Sequence, residues 1–478
     1  MNAKSLLAIF KEKYAPDIRF WVLLFFIFRL YGITDPPLEI AHNWRQVTGD
    51  MVARNMYEID NNILYPRLDF GGEKTGITGT EFSVLNYLMY LLSLLFGFHD
   101  WFGRLINLIV SSIGVLYFYK LLRLKFDEKF SFYAGFLLLT SMWLIYSRKV
   151  MPDTFSTSLV IISLYHAFMY FKGSKIFHAV LYFIFVTLGI LSKIPSAYLL
   201  IILVFPFIDK SVPTINKIWV FVFTLLMFIP VGFWYFYWVP YLVSHFGFAH
   251  YYMGTGIFQG FHEIVTNMSR TFEKFYFDAF KFIGFITCVF GFVFAILKKE
   301  KRVLWITLLC SLAFAFFMLK AGRNFYHHSY YIVPLVPVMC LFIAYALTLI
   351  KKQGLQVLLL LAITAESIAD QQHDFRIKDS EKYKLSLENI ADKITEKTDL
   401  IAINGDENPQ LMYFAHRKGW TISSDEVKDP DYMNEIINLG CKYLFLNKHA
   451  LTSVVLRSGE NWKNVFENED FVVYSLRN

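Results

Sequence analysis

The chain has 478 residues, of which 56% are hydrophobic, 19% aromatic and only 18% charged, with 51 Phe and a formal net charge of +7. A soluble globular chain carries about a quarter charged residues, so this composition excludes a disordered chain, a disulfide scaffold and an ordinary soluble enzyme. It points to a polytopic membrane protein, whose Lys and Arg belong first to cytoplasmic loops and not to a nucleic-acid partner.

Lys4, Lys11, Lys13 and Arg19 precede the first apolar run, Phe20–Ile33. No small-residue cleavage site follows; Thr34-Asp35-Pro36-Pro37 stops the helix, and the run reads as a retained span. Further runs of roughly span length lie near 83–98, 101–119, 130–147, 154–171, 176–191, 195–208, 217–241, 282–297, 303–319, 330–350 and 355–369. The run at 83–98 decides the topology. If it crosses, the basic connections end up outside. If it is interfacial or re-entrant, Lys120, Arg123, Lys125, Lys129, Lys172, Lys175, Lys210, Lys217, Lys298, Lys299, Lys301, Arg302, Lys351 and Lys352 all fall inside. The positive-inside rule prefers the second count. It gives eleven spans, a cytoplasmic N-terminus and an extracytoplasmic C-terminal part.

From 376 onward the chain carries 14 Lys and Arg against 17 Asp and Glu, a net of −3, which leaves +10 for the rest. Helices at 380–396, 408–417 and 430–438 alternate with strands at 399–404, 442–446 and 471–474, the pattern of a small α/β domain. The expected organisation is a membrane domain over 1–369 and a soluble domain over 370–478. No Gly-rich phosphate loop opens any of the later helices.

By this count 34–100, 148–153, 192–194, 242–281, 320–329 and 370–478 fall on the outer face, and four stretches there carry polar residues out of place beside so much apolar surface. The first, 34–100, contains His42-Asn43-Trp44-Arg45-Gln46 and a helical stretch with Val47, Met51, Val52, Met56 and Tyr57 on one side and Arg45, Asp50 and Arg54 elsewhere. That pattern fits an amphipathic interfacial helix. A Gly-rich turn region at 71–79 then leads to Glu81 at the mouth of the 83–98 helix. The second is Ser147-Arg148-Lys149-Val150-Met151-Pro152-Asp153, where Asp153 reads either as a carboxylate favoured by a helix N-terminus or as an active-site acid. The third is Ser192-Lys193-Ile194-Pro195; Lys193 is either a snorkelling side chain or a phosphate ligand. The fourth is Arg323-Asn324-Phe325-Tyr326-His327-His328-Ser329-Tyr330-Tyr331. It reads either as an aromatic belt or as polar groups facing a wet cavity.

Other chemistry finds no support. HExxH, CxxC, GxSxG and P-loop patterns do not occur, and adjacent His327 and His328 cannot share one metal on a helix. Cys288, Cys310 and Cys340 lie in apolar runs and Cys441 stands alone, which indicates neither a disulfide framework nor a Cys metal site. His245, His250 and His262 follow no ligand period and read as surface or interface residues.

Taken in order, these motifs resemble the GT-C membrane glycosyltransferases, in particular the bacterial family 39 proteins related to protein mannosyltransferases and to the aminoarabinose transferase of lipid A. The resemblance covers about residues 15–350. Arg148 with Pro152-Asp153 is similar to that family's second external acidic site, Ser192-Lys193-Ile194-Pro195 to its Ser-Lys-x-Pro turn, and Arg323–Tyr331 to its His- and Tyr-rich start of a late span. One departure is clear: the family's early Asp-Glu pair is replaced here by Arg45-Gln46. The resemblance implies transfer of a sugar from a polyprenyl-phosphate donor to a glycan, lipid or protein acceptor at the outer face of the inner membrane. It implies no particular cofactor and leaves a divalent metal open. Glu81, Asp153 and His42 are then the expected proton acceptors, with Asp50 behind them. Arg45, Lys193, Arg323, His327, His328 and Tyr330 are the expected donor ligands, because cations at the headgroup level hold phosphate. The alternatives are a lipid-linked sugar flippase or transporter, which the uncharged runs and the missing internal repeat disfavour, and an oligosaccharide polymerase or ligase of the cell envelope.

Overall fold

The computed structural model describes residues 15–39, 41–250, 254–450 and 462–476. Lys4, Lys11 and Lys13, which enter the topology argument, lie outside the described residues. The chain divides into two compact units that interleave along the sequence. One is formed by Met1–Ile33, Arg104–Trp234 and Tyr252–Phe375, the other by Thr34–Gly103, Tyr235–Tyr251 and Arg376–Asn478.

All eleven apolar runs assigned as spans are helical. Among the described residues, six helices are long and apolar enough to cross a membrane, and seven if the bent pair Met268–Ala279 and Lys281–Leu297 counts as one span. The expected eleven included shorter helices such as Ile18–Arg29, of 12 residues. At 1.5 Å per residue such a helix covers roughly 18 Å of a hydrocarbon core about 30 Å thick. The protein is thus an integral membrane protein in which several apolar helices are shorter than a full span.

Helix Pro152–Gly173 sits at the centre of the first unit and is buried on nearly every side. Its start follows from its sequence. Pro152 lacks only an N–H that no helical bond would use, and Asp153 in the first turn and Lys172 in the last both suit the helix dipole. Small residues let its neighbours approach closely. A Cβ at Gly114 would stand 2.5 Å from the Ser158 Cβ, and one at Gly189 would stand 3.2 Å from the Ser156 carbonyl.

The second unit contains a five-stranded sheet: β1 Leu400–Asn404, β2 Lys418–Ile422, β3 Cys441–Asn447, β4 Lys463–Glu467 and β5 Phe471–Ser475. The order is β2-β1-β3-β5-β4, with β2, β1 and β3 parallel and the last two pairings antiparallel. Alternate side chains face opposite ways along a strand. Ala402, Leu444, Leu446 and Val472 pack on helix Pro430–Asn438 through Met433 and Ile436. On the other side Ile401, Ile403, Phe445 and Val473 share a core with Leu387, Ile390 and Met412, and with Val47, Met51, Val52 and Met56 of helix Asn43–Glu58. The segment 34–100 therefore completes the core of the C-terminal sheet through helix Asn43–Glu58. This corrects the expected amphipathic interfacial helix: Gln46, Asp50, Arg54 and Asn55 are buried along with its apolar residues. Helix Val84–Phe96 has only 13 residues, roughly 20 Å. It buries Leu85 and Met89 while leaving Leu91, Leu94, Leu95 and Phe96 exposed.

Candidate functional site

In the first unit the charged residues cluster at the turn that precedes helix Pro152–Gly173. Burying a charge is costly unless it is paired, and the turn supplies pairs. Lys193 Nζ lies 3.5 Å from Asp153 Oδ1 and 5.3 Å from the centre of the Tyr330 ring. Lys149 Nζ lies 3.4 Å from Asp374 Oδ2, with Lys149 only 2% exposed. Lys193 follows helix Ile176–Ser192 as its C-terminal cap residue. The pair therefore joins a cation at one helix's C-terminus to an anion at another's N-terminus, the arrangement both dipoles favour. The Tyr146 hydroxyl lies 2.6 Å from Ser329 Oγ. Arg148 is committed to backbone: its guanidinium donates to the carbonyls of Arg29, Tyr31 and Asp374 and stacks on Phe375.

In the second unit Arg45 donates to Glu81 Oε1 at 2.6 Å. Arg45 comes from the first turn of helix Asn43–Glu58 and Glu81 from the segment just before helix Val84–Phe96. His42 precedes the first of these helices with φ +64°, a left-handed backbone that His tolerates better than most side chains. The Gly-rich turn between the two helices is pinned, not loose. The Gly72 N–H donates to the Gly419 carbonyl and the Gly419 N–H to the Asp69 carbonyl. Asp69 in turn accepts from Arg54 and Asn55, at 2.8 Å each. His250 packs edge-on against Phe70. Burial pushes its imidazole down to about 4, with Arg45 adding to the shift and Glu81 opposing it. It is thus a neutral base near physiological pH.

The structure brings Asp153, Lys193 and Tyr330 together in one unit and Arg45 with Glu81 in the other. His328 stacks on Tyr330 and Tyr331. Arg323 and His327 lie exposed on the short helix Arg323–His327, and Asp50 is fully buried in helix Asn43–Glu58. Three residues escaped the sequence reading. By its spacing His250 reads as one of three scattered surface or interface histidines. The sequence marks Lys149 only as one residue of the stretch 147–153 and gives Asp374 no signal at all. No short-range pattern marks any of them; each gains its setting from residues more than thirty positions away. The four cysteines are free and buried, and no group of three or more metal-ligating side chains occurs among the described residues.

The family model described as dolichyl-phosphate-mannose-protein mannosyltransferase matches residues 83–234, about a third of the chain. The structure of ArnT from Cupriavidus metallidurans bound to undecaprenyl phosphate is similar over 95% of this chain and 98% of that one, at 12% identity and a TM-score of 0.60. The Archaeoglobus fulgidus oligosaccharyltransferase in complex with Zn and sulfate is similar over 89% of this chain and 67% of that one, at 13% identity and a TM-score of 0.56. The archaeal oligosaccharyltransferase AglB from the same organism, in complex with an inhibitory peptide and a dolichol-phosphate, is similar over 90% and 69%, at 14% identity and a TM-score of 0.54. No curated protein matches the chain. At these identities the likeness is one of fold: the chain has the GT-C membrane fold with a small C-terminal sheet domain.

Proposed function

We propose that this chain is a glycosyltransferase that moves a sugar from a polyprenyl-phosphate donor to an acceptor hydroxyl at the outer face of the inner membrane. The observation that carries the reading is the buried Lys193–Asp153 pair at the end of an apolar helix bundle, where a lipid's phosphate meets protein. Asp153 compensates the Lys193 ammonium until a phosphate takes over that part, and Tyr330 lies beside it. In the reaction the acceptor oxygen bonds to the anomeric carbon as the bond from that carbon to the donor phosphate breaks. The phosphate leaves with the electron pair, and Lys193 stabilises its charge. The acceptor's proton goes to a carboxylate or imidazole: Asp153 is the carboxylate that the first unit holds beside Lys193, and Glu81, held by Arg45, and the imidazole of His42 are the candidates of the second unit. An N-terminus inside and the C-terminal part outside agree with the basic connections. The likeness to proteins solved with undecaprenyl phosphate and dolichol-phosphate supports a lipid-phosphate donor. The likeness to oligosaccharyltransferases favours, as a second reading, an oligosaccharide ligase.

The test offers the purified chain a panel of labelled undecaprenyl-phosphate monosaccharides and an undecaprenyl-diphosphate oligosaccharide. Release of undecaprenyl phosphate from a monosaccharide donor supports the first reading, and use of the diphosphate donor alone supports the second. Glu81→Gln and Asp153→Asn are each expected to lower transfer by about 100-fold or more, with normal expression. Full activity in both variants sinks the assignment.

A further inference from the structure

The turn at 147–151 carries Arg148 and Lys149 and delivers Asp153, and it is buried throughout. Its side chains find partners outside it, Ser147 in Arg29, Lys149 in Asp374 and Arg148 in the carbonyls of Arg29, Tyr31 and Asp374, and its backbone carbonyls find one on a neighbouring helix. Asn107, on helix Trp101–Arg123 and fully buried, places its Nδ2 3.0 Å from the Tyr146 carbonyl, 2.9 Å from that of Lys149 and 3.1 Å from that of Met151. Its Oδ1 accepts from Ser111 Oγ at 2.8 Å and from Thr154 Oγ1 at 3.0 Å. Two amide hydrogens thus serve three carbonyls spread over the whole turn, and the oxygen grips the helix one residue past Asp153. Helix Pro152–Gly173 has no side-chain cap of its own at Met151, so Asn107 adds an outside hold to a start that Pro152 and Asp153 already favour.

We infer that Asn107 is a positioning residue. It sets the turn that places Lys149 and Asp153, and through Asp153 it sets the orientation of Lys193. The inference rests on the donor-phosphate reading of Lys193. A plain packing residue needs no carboxamide here, and a single hydroxyl would serve one carbonyl. The carboxamide alone combines a donor pair for the turn with an acceptor for the helix that follows.

The experiment measures the Kd of the purified chain in nanodiscs for undecaprenyl phosphate, a probe that requires no knowledge of the sugar. Asn107→Asp keeps the acceptor oxygen for Ser111 and Thr154 but turns oxygen toward the three carbonyls. It is expected to raise Kd about 10-fold or more, since misplacement by about 1 Å costs binding groups heavily. In a Lys193→Ala background the same change adds nothing, because the effect runs through Lys193. Thr154→Val removes one hydroxyl and produces a smaller rise in the same direction; it carries the test if Asn107→Asp does not fold. Unchanged Kd in the folded variants overturns the inference. So does a loss that multiplies with that of Lys193→Ala, the mark of general weakening. If Lys193→Ala binds the probe as tightly as the parent chain, the donor reading fails instead. Maleimide labelling of Met151→Cys then decides: faster labelling in the presence of Asn107→Asp upholds the positioning role, and equal rates refute it.

Discussion

His416 shows how single residues hold the second unit together. Its backbone is left-handed, with φ +48°, and its two ring nitrogens face two carboxylates, Nδ1 at 2.6 Å from Glu388 and Nε2 at 2.9 Å from Glu58. Only the protonated ring donates to both. The Glu388 contact, then that of Glu58, raises the imidazole above its usual range, and the His416 hydrogen bond leads in pushing Glu388 down to about 2. Burial alone would raise Glu58, but His416, with Arg54 and Lys397 behind it, outweighs that and lowers it. Arg54 opposes the charge on His416, and Lys397 shares Glu388. The sign follows from linkage. A raised histidine stabilises fully below its unfolded value near 6.5 and loses that contribution as pH rises through its folded value. The depressed Glu388 contributes above its usual 4.5 and loses its share toward about 2. The clasp is therefore strongest between roughly pH 4.5 and 6.5. His416→Gln is expected to cost at most about 1 kcal/mol there, because both carboxylates are partly solvent-screened. The difference in melting temperature from the parent chain should shrink by pH 9; a difference independent of pH would refute the clasp.

Between elements, close backbone approach matters more than side-chain bulk. Apolar helices gain little from the hydrophobic effect in lipid, so contact between them relies on small residues. Helix Lys281–Leu297 meets helix Val336–Leu349 at Gly291, where an added Cβ would stand 1.9 Å from the Phe342 carbonyl oxygen. That neighbour is backbone and cannot swing aside. Gly291→Ala is expected to destabilise by roughly 1–3 kcal/mol, the usual range for overpacking, and to lower the melting temperature. Gly354, with nothing near its Cβ position, is the control: Gly354→Ala should leave that temperature unchanged or raise it. The same helix shows a second device, a carboxylate cap from outside, where Glu366 accepts from the N–H groups of Phe282 and Ile283.

At the scale of the whole molecule, the C-terminal segment covers one face of its sheet with its own helix Pro430–Asn438 but shares the core on the other face. Ile401, Ile403, Phe445 and Val473 pack with Val47, Met51, Val52 and Met56 of helix Asn43–Glu58, which lies more than 340 positions earlier in the chain. Truncation after residue 375 would strip that helix of its cover and expose Arg54, Asp69 and their partners. The truncated chain is expected to lose transfer and also to elute as aggregate in size-exclusion chromatography. A monodisperse truncation that still binds undecaprenyl phosphate would mean that helix Asn43–Glu58 and its neighbours fold without the sheet.

Periodicity and composition, both local properties, established much of this protein. Each apolar run is a helix, because length and hydropathy suffice for that, and β1, β3, β5 and helix Pro430–Asn438 follow from short apolar alternation. The polar edge strands were not legible: Lys418–Ile422 and Lys463–Glu467 carry no inward stripe of their own and exist because β1 and β5 offer them hydrogen bonds. The motifs around Asp153, Lys193 and Tyr330 could be picked out as misplaced polarity, but their pairing could not. Whether Asp153 merely suits a helix dipole or also meets a lysine depends on residues 40 positions apart. The opening figure of 18% charge thus acquired its meaning from the fold. Burial forces each charge to find a partner, and the partner's place in the sequence is arbitrary until helices and sheet have packed.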